Sequence, residues 1–456
     1  MLSAVGVACS RESQVRARAG SPAANPCRVG PVQAQPIPSR PSAIRPAVND
    51  ASKYPTETPI KHVVFIMKEN RTFDNLFGAF PGANGASTGK QGDETVSLTS
   101  HCFPQALPRD IKHDYPKALL GWNHGQMNGF GWDAYSAEWA YIQATQQDIP
   151  NYWRWAQDYT LGDNFFASVL GPSFPNHLYS FAGTAAGTHD NPVPAAGRVV
   201  VKLTIPQVYQ KSWGCDAPKG TYVLVDSATG KPTREFPCFE IPVVADALKT
   251  AGIPWAYYGA DDTQLGYFWN APDYIEHIRN NPILWESRVL GVNSIVPDIQ
   301  EGRLPPVTWV TPSFWLSDHP DANLCNGENW TTTVVNAIMN SPMWKNTVIF
   351  IAWDDWGGFY DHVPPPSGFG FRVPVLAISP YSKPGYVDKT EADFGSILRF
   401  IGYNWRVPVD MVETGSSTDM RGSFDFTQTP LAPDPLPLRT DCQQFTDQRA
   451  YEFDPN

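Results

Sequence analysis

The chain is short of positive charge: 34 Lys and Arg against 45 Asp and Glu give a formal net charge of −11. Binding a nucleic-acid backbone needs clustered basic residues, and none is evident, so charge excludes that class of partner. Nor does any polybasic run offer an anionic membrane a counter-charge. No apolar stretch approaches the roughly 18 to 20 residues of a membrane-spanning helix, so no transmembrane segment is expected. Of the seven cysteines, none forms a C-x-x-C pair, which removes zinc ribbons and thioredoxin-like redox chemistry. Gly-rich phosphate loops, Walker motifs and a G-x-S-x-G elbow are all missing, so nucleotide cofactors and lipase-type triads find no support.

What is present suffices for a large core, with 456 residues of which 42% are hydrophobic, including 16 Trp. Residues 1–58 are rich in Pro, Ala, Ser and Arg without apolar periodicity and read as a tail or linker. Within them Met1 to Ser10 resembles the end of a signal peptide lacking its basic start. Small residues before Cys9 suggest a lipoprotein cleavage site, and an ordinary N-terminus is the alternative. The expectation is export: periplasmic, secreted or lipid-anchored. If Cys9 is lipidated or removed, Cys27, Cys102, Cys215, Cys238, Cys325 and Cys442 form an even set compatible with disulfides. Cys215 and Cys238 are the nearest local pair, and buried free thiols are the other reading.

Residues 59–421 read as one catalytic domain with an insertion at about 190–240, and residues 422–456 as a wrapping tail. Strand-like runs at 62–67, 253–258, 308–310, 348–353 and 373–378 alternate with helix-like stretches at 151–158, 243–251, 330–339 and 392–401. This pattern argues for an α/β fold with a parallel sheet covered on both faces. A short helix is expected at Phe73 to Phe77, an irregular excursion at 81–112, and a turn at Gly171 to His177 with a helix from Leu178.

Two acidic clusters follow two of those strands. Lys68-Glu69-Asn70-Arg71 ends the first, and Asp354-Asp355 follows Trp353. Ligands of parallel sheets bind beyond the carboxyl ends of strands, and three carboxylates with an amide suit an oxygen-ligated cation. The plain alternative is strand-end turn residues making surface hydrogen bonds. Ser173 stands in a sharp turn between Gly171-Pro172 and Pro175. There it is either a helix cap or a nucleophile that needs a base or a metal to activate it. A helix beginning beside it would favour an anion such as phosphate. His319, beyond the strand 308–310 and next to Asp318, is the histidine best placed to protonate a leaving group.

These residues carry a resemblance. Lys61 to Gly78 (K-H-V-V-F-I-M-K-E-N-R-T-F-D-N-L-F-G) is similar to the signature of the bacterial phosphoesterase family. The similarity continues in order through residues 113–127, 171–179, 317–320, 353–366 and 394–400. That family holds phosphatidylcholine-type phospholipases C, acid phosphatases and plant non-specific phospholipases C. The resemblance implies a three-layer α/β/α, alkaline-phosphatase-like fold with a mostly parallel central sheet, and a divalent metal ion of unspecified identity. It also implies that Glu69 and Asn70 bind metal or phosphate, that Asp354 and Asp355 are metal ligands, and that Ser173 is the nucleophile. His113 and His319 would contact the phosphate or the leaving group, with Asp318 in support.

Two departures stand out: Phe394 follows Asp393 where phospholipase members tend to carry His, and Trp356 stands where plant members tend to have His. The chain also ends soon after the catalytic core. These differences favour an acid-phosphatase-like, metal-dependent phosphoric ester hydrolase that works through a phosphoserine. The alternatives are a phospholipase C acting on phosphatidylcholine-type lipids and an inactive homologue that binds at a surface. The expected partner is a phosphate ester, either a small molecule or a lipid headgroup.

Overall fold

His62–Lys68 (β1) is buried along its whole length, as an unbroken apolar run requires when both faces of a sheet are covered. The computed structural model describes residues 45–48, 50–98, 103–195, 211–413 and 418–442. The first 44 residues, with Cys9 and Cys27, lie outside that set, as does Cys102. Around β1 assemble Thr160–Gly162 (β2), Trp255–Gly259 (β3), Val289–Gly291 (β4), Val307–Val310 (β5), Thr347–Trp353 (β6), Val375–Ile378 (β7) and Tyr386–Asp388 (β8). The spatial order is β8-β2-β7-β6-β1-β5-β3-β4. Strand β1 pairs in parallel with β5 and β6, and β3 continues the parallel set outward to β4. Only β7 runs against its neighbours. The sheet is thus mostly parallel, as expected, with one strand reversed.

Side-chain alternation along each strand sorts the core into two layers. Phe350, Phe65, Trp309 and Tyr257 stand in register across β6, β1, β5 and β3. Phe350 and Phe65 pack on Phe400 and Phe394 of the helix Phe394–Trp405, and Trp309 and Tyr257 on Phe181 of the helix Ser173–Ala182. On the opposite face Trp353 packs on Tyr152 of Pro150–Asp158 and on Phe77 of Phe73–Phe77. The result is the three-layer α/β/α architecture.

Several elements depart from the sequence expectation. The helix expected from Leu178 begins at Ser173, with Pro172 as its extended N-cap. Pro175 falls in its first turn, where a backbone N–H has no intrahelical partner to lose. The helix expected from Trp330 begins at Leu324, because the Asn323 side chain caps it at Asn326 N. The 81–112 excursion contains a hairpin, Thr88–Gln91 paired with Glu94–Ser97. Within the 190–240 stretch lie a second hairpin, Val223–Val225 with Thr233–Glu235, and the Cys215–Cys238 disulfide. Residues 196–210 of that stretch are outside the described set. The described C-terminal residues are tied to the helix Leu324–Met339 by the Cys325–Cys442 disulfide and by Arg439 Nη1, 2.7 Å from Glu328 Oε2.

A buried ion pair closes the lower layer. Lys68 Nζ lies 3.2 Å from Asp318 Oδ1, donates to the carbonyls of Leu316 and Gly327, and rests over the Trp330 ring. A Cβ at Gly327 would stand 1.8 Å from Asp318 Oδ1, so glycine there is what lets the carboxylate approach. Lys68→Met should cost about 3–5 kcal/mol by stranding a buried carboxylate. Lys68→Met/Asp318→Leu should recover part of that loss in equilibrium urea unfolding. A loss in the double variant equal to the sum of the Lys68→Met and Asp318→Leu losses would show that the pair is not coupled.

Candidate active site

The same alternation that turns Lys68 towards Asp318 turns the next residue, Glu69, to the opposite face of the sheet. Asp354 does likewise after Trp353, its neighbour in register being Lys68. Both carboxylates therefore meet the N-terminal end of the helix Ser173–Ala182. Between them Asn70 adopts a left-handed backbone, φ 63°, and donates its N–H to Asp354 Oδ1 at 2.8 Å. Gly357 packs against this turn; a Cβ there would lie 2.3 Å from the Asn70 carbonyl oxygen.

Ser173 is the first residue of its helix, not its cap, so the capping explanation for its hydroxyl falls away. Its Oγ lies 3.2 Å from Asp355 Oδ2 and 3.5 Å from Glu69 Oε2. His177, one turn further along, places Nε2 2.9 Å from Glu69 Oε1 and 3.6 Å from Asp354 Oδ2, with its ring stacked on Trp269. Glu69, Asp354, Asp355 and His177 are fully enclosed. Burial, reinforced by Asp354, holds the Glu69 carboxyl well above its usual range. Burial and Asp354 do the same to Asp355. For Asp354 burial pulls the same way, but its contacts with His177 prevail and hold it at about 2. Burial disfavours the His177 imidazolium, yet Glu69 and Asp354 overcome it and push the group up to about 10.

On the other side of Asn70 stand two imidazoles. In the amide orientation that satisfies every neighbour, the Asn70 nitrogen donates to Asp354 Oδ1 and Glu69 Oε2, both at 3.1 Å. Its oxygen accepts from His113 Nε2 at 2.7 Å and His319 Nε2 at 3.3 Å. His113 Nδ1 is 2.8 Å from the Ile111 carbonyl and 3.2 Å from Asp110 Oδ2. Burial opposes the charged form of His113, but Asp110 and Asp355 hold its pKa well above the ordinary value.

The structure thus gathers Glu69, Asn70, His113, Ser173, His319, Asp354 and Asp355. It does not bring Asp318 with them. That side chain points to Lys68, to the Tyr152 hydroxyl at 2.7 Å and to Trp353 Nε1 at 3.2 Å. The carboxylate on the His319 ring belongs to Asp321. His177 and Asp110 also went unnoticed in the sequence. For His177 the four-residue spacing from Ser173 was a usable signal once the helix start is known; Asp110 and Asp321 carried none. Trp356 is buried against Phe130, Trp132 and Phe371, and Phe394 against Phe65 and Phe165.

The donor set fits a hard divalent cation. Glu69, His177 and Asp354 bring ligand atoms within 4.8 Å of one another, Asp355 flanks them, and Asp354 Oδ2 accepts no hydrogen bond from any described residue. Carboxyls crowded out of water lack positive charge, and such an ion supplies it.

A model of the phosphoesterase family matches residues 60–408, and the chain belongs to that family. It is 27% identical over 434 residues to the hemolytic phospholipase C of Pseudomonas aeruginosa, covering 82% of this chain and 57% of that protein. It is 25% identical over 449 residues to phospholipase C A of Mycobacterium tuberculosis, covering 82% and 78%. The chain therefore spans little more than half the length of the Pseudomonas protein. Among solved structures, one of a protein in the alkaline phosphatase superfamily from Vibrio parahaemolyticus aligns with TM-score 0.35 and 13% identity, covering 82% of this chain and 73% of that one.

Asp354→Asn and Asp355→Asn are each expected to lower the bound divalent metal measured by mass spectrometry of the purified protein, because each removes an anionic ligand. Stoichiometric metal retained by both variants would exclude these carboxylates as ligands.

Proposed function

We propose that the protein is a metal-dependent hydrolase of phosphoric esters in which Ser173 is the nucleophile. The observation that carries this reading is the Ser173 hydroxyl, 3.2 Å from Asp355 Oδ2, at the first residue of a helix and beside the cluster of buried carboxylates. Helix N-termini favour anions, and the two imidazoles across Asn70 face the same space.

Glu69, Asp354 and Asp355 would hold the cation, with His177 beside them, while Asn70 turns its amide nitrogen to two of these carboxylates and its oxygen to the imidazoles and so offers the cation no ligand atom; when bound the cation screens phosphate charge and lowers the serine pKa. Ser173 Oγ gives its proton to Asp355 and attacks phosphorus, forming Oγ–P as the bond from phosphorus to the ester oxygen breaks. His113 stabilises the charge on the phosphoryl oxygens. His319 gives its Nε2 proton to the departing alkoxide and takes one back from the water whose oxygen then bonds to phosphorus as the Oγ–P bond breaks, with Asp355 returning its proton to Ser173 Oγ. Asn70, clamped between carboxylates and imidazoles, keeps the two sides in register.

Among phosphoric esters, two substrate classes compete. The lack of His at 394 and of His at 356 supports a monoesterase. The phospholipases C among the relatives favour a choline-type phosphodiester as the second reading. Export is part of the proposal, since the disulfides Cys215–Cys238 and Cys325–Cys442 suit an oxidising compartment.

Ser173→Ala should lose at least about 1000-fold in kcat while unfolding within about 1 kcal/mol of the parent. Acid-quenched parent enzyme should yield a phosphorylated peptide containing Ser173; retained turnover in the variant would assign the nucleophile elsewhere, and loss of turnover in the parent would indicate an inactive homologue. Comparing a phosphomonoester with a phosphatidylcholine diester decides between the substrate classes.

His319→Ala should slow alkyl phosphates by about 100-fold or more and 4-nitrophenyl phosphate only a few-fold, because a basic leaving oxygen needs the proton and a nitrophenolate does not. Equal losses on both would remove the acid role.

A further inference from the structure

We infer that Asp321 is the positioning residue that sets the tautomer and aim of His319; this rests on the reading of His319 as the leaving-group acid. Asp321 Oδ1 lies 2.5 Å from His319 Nδ1, and both side chains are buried. The bond is local and rigid: Ala322 N–H donates to the His319 carbonyl at 2.8 Å, closing a turn that carries both residues. The imidazole is held on its faces as well, 4.9 Å from the Phe314 ring and 6.0 Å from Trp269. With a carboxylate on Nδ1, the ring keeps a proton there, and Nε2 is left facing the Asn70 amide and the reaction space.

Asp318, the adjacent acid in sequence, does not compete for the role because Lys68, Tyr152 and Trp353 occupy it. The buried Arg71 guanidinium donates to the Asp318 carbonyl at 3.0 Å; burial lowers its pKa, opposed by the charges of Asp318, Asp110 and Asp321. His113 repeats the arrangement with Asp110 at 3.2 Å. The two imidazoles therefore share a plan, an acid on Nδ1 and the active nitrogen on Asn70, but His113 Nδ1 is divided between Asp110 and the Ile111 carbonyl, whereas His319 Nδ1 has the shorter carboxylate contact.

The test uses the metal-loaded enzyme and a leaving-group series running from 4-nitrophenyl phosphate to an alkyl phosphate. Asp321→Asn should lower kcat on the alkyl ester by about 100-fold and on the nitrophenyl ester by less than about 3-fold, with KM little changed. Asp321→Glu should restore part of the loss. The double variant with His319→Ala should be no slower than His319→Ala alone, since residues acting as one unit are not additive. Nitrogen-15 NMR of the ring should report an Nδ1–H in the parent that Asp321→Asn alters. Equal losses on all esters, additive losses in the double variant or an unchanged ring tautomer would overturn the role of Asp321. If His319→Ala itself showed no leaving-group dependence, the acid reading would fall first, and the NMR comparison would still decide whether Asp321 sets the tautomer. Should Asp321→Asn fail to fold, Asp321→Ser carries the same comparison.

Discussion

Three carboxylates withdrawn from water at one end of a sheet are the constraint on which the rest of this molecule depends. Like charges at such separations raise one another's pKa unless positive charge is brought to them. The protein brings part of it as His177 against Glu69 and Asp354 and part as His113 beyond Asn70. The remaining deficit suits the site to a hard cation.

Strand geometry decides which charges face each other. A two-residue period along β1 sends Lys68 to one side and Glu69 to the other, and β6 repeats the division at Trp353 and Asp354. One step of register therefore separates a structural ion pair, Lys68–Asp318, from the candidate centre around Ser173. A slip of one residue would exchange the two environments, and packing opposes it from both faces, through the aromatic row at Phe350, Phe65, Trp309 and Tyr257 on one and through Trp353 on the other. The sheet core and the site chemistry share one specification.

The left-handed turn at Asn70 is the local counterpart of that specification. It aims a backbone N–H at Asp354 and an amide between two carboxylates and two imidazoles. Asparagine tolerates this backbone better than most residues, and Gly357 lets the facing loop come close. Conformation and chemistry converge at one residue, which explains why an amide rather than a fourth acid stands there.

Much of this was legible in the sequence because it is local or periodic. The unbroken apolar runs at 62–67 and 348–353, the acids at their ends and the Pro-bounded Ser173 imply a mostly parallel sheet with polar groups delivered beyond two strand ends, whatever the loops do. The sequence could not show which carboxylate serves which histidine. Asp318 touches His319 in the chain yet turns to Lys68, whereas Asp321, two residues on, bends back to the ring. The helix start at Ser173 was equally hidden, since prolines in a first turn and prolines in a loop read alike. Residues 62–71 and 347–355 thus determined by themselves the strands and the charges at their ends, through periodicity and covalent neighbourhood. The partners of those charges were decided only by tertiary structure, because pairing in a buried site depends on distances across elements that lie far apart in the chain.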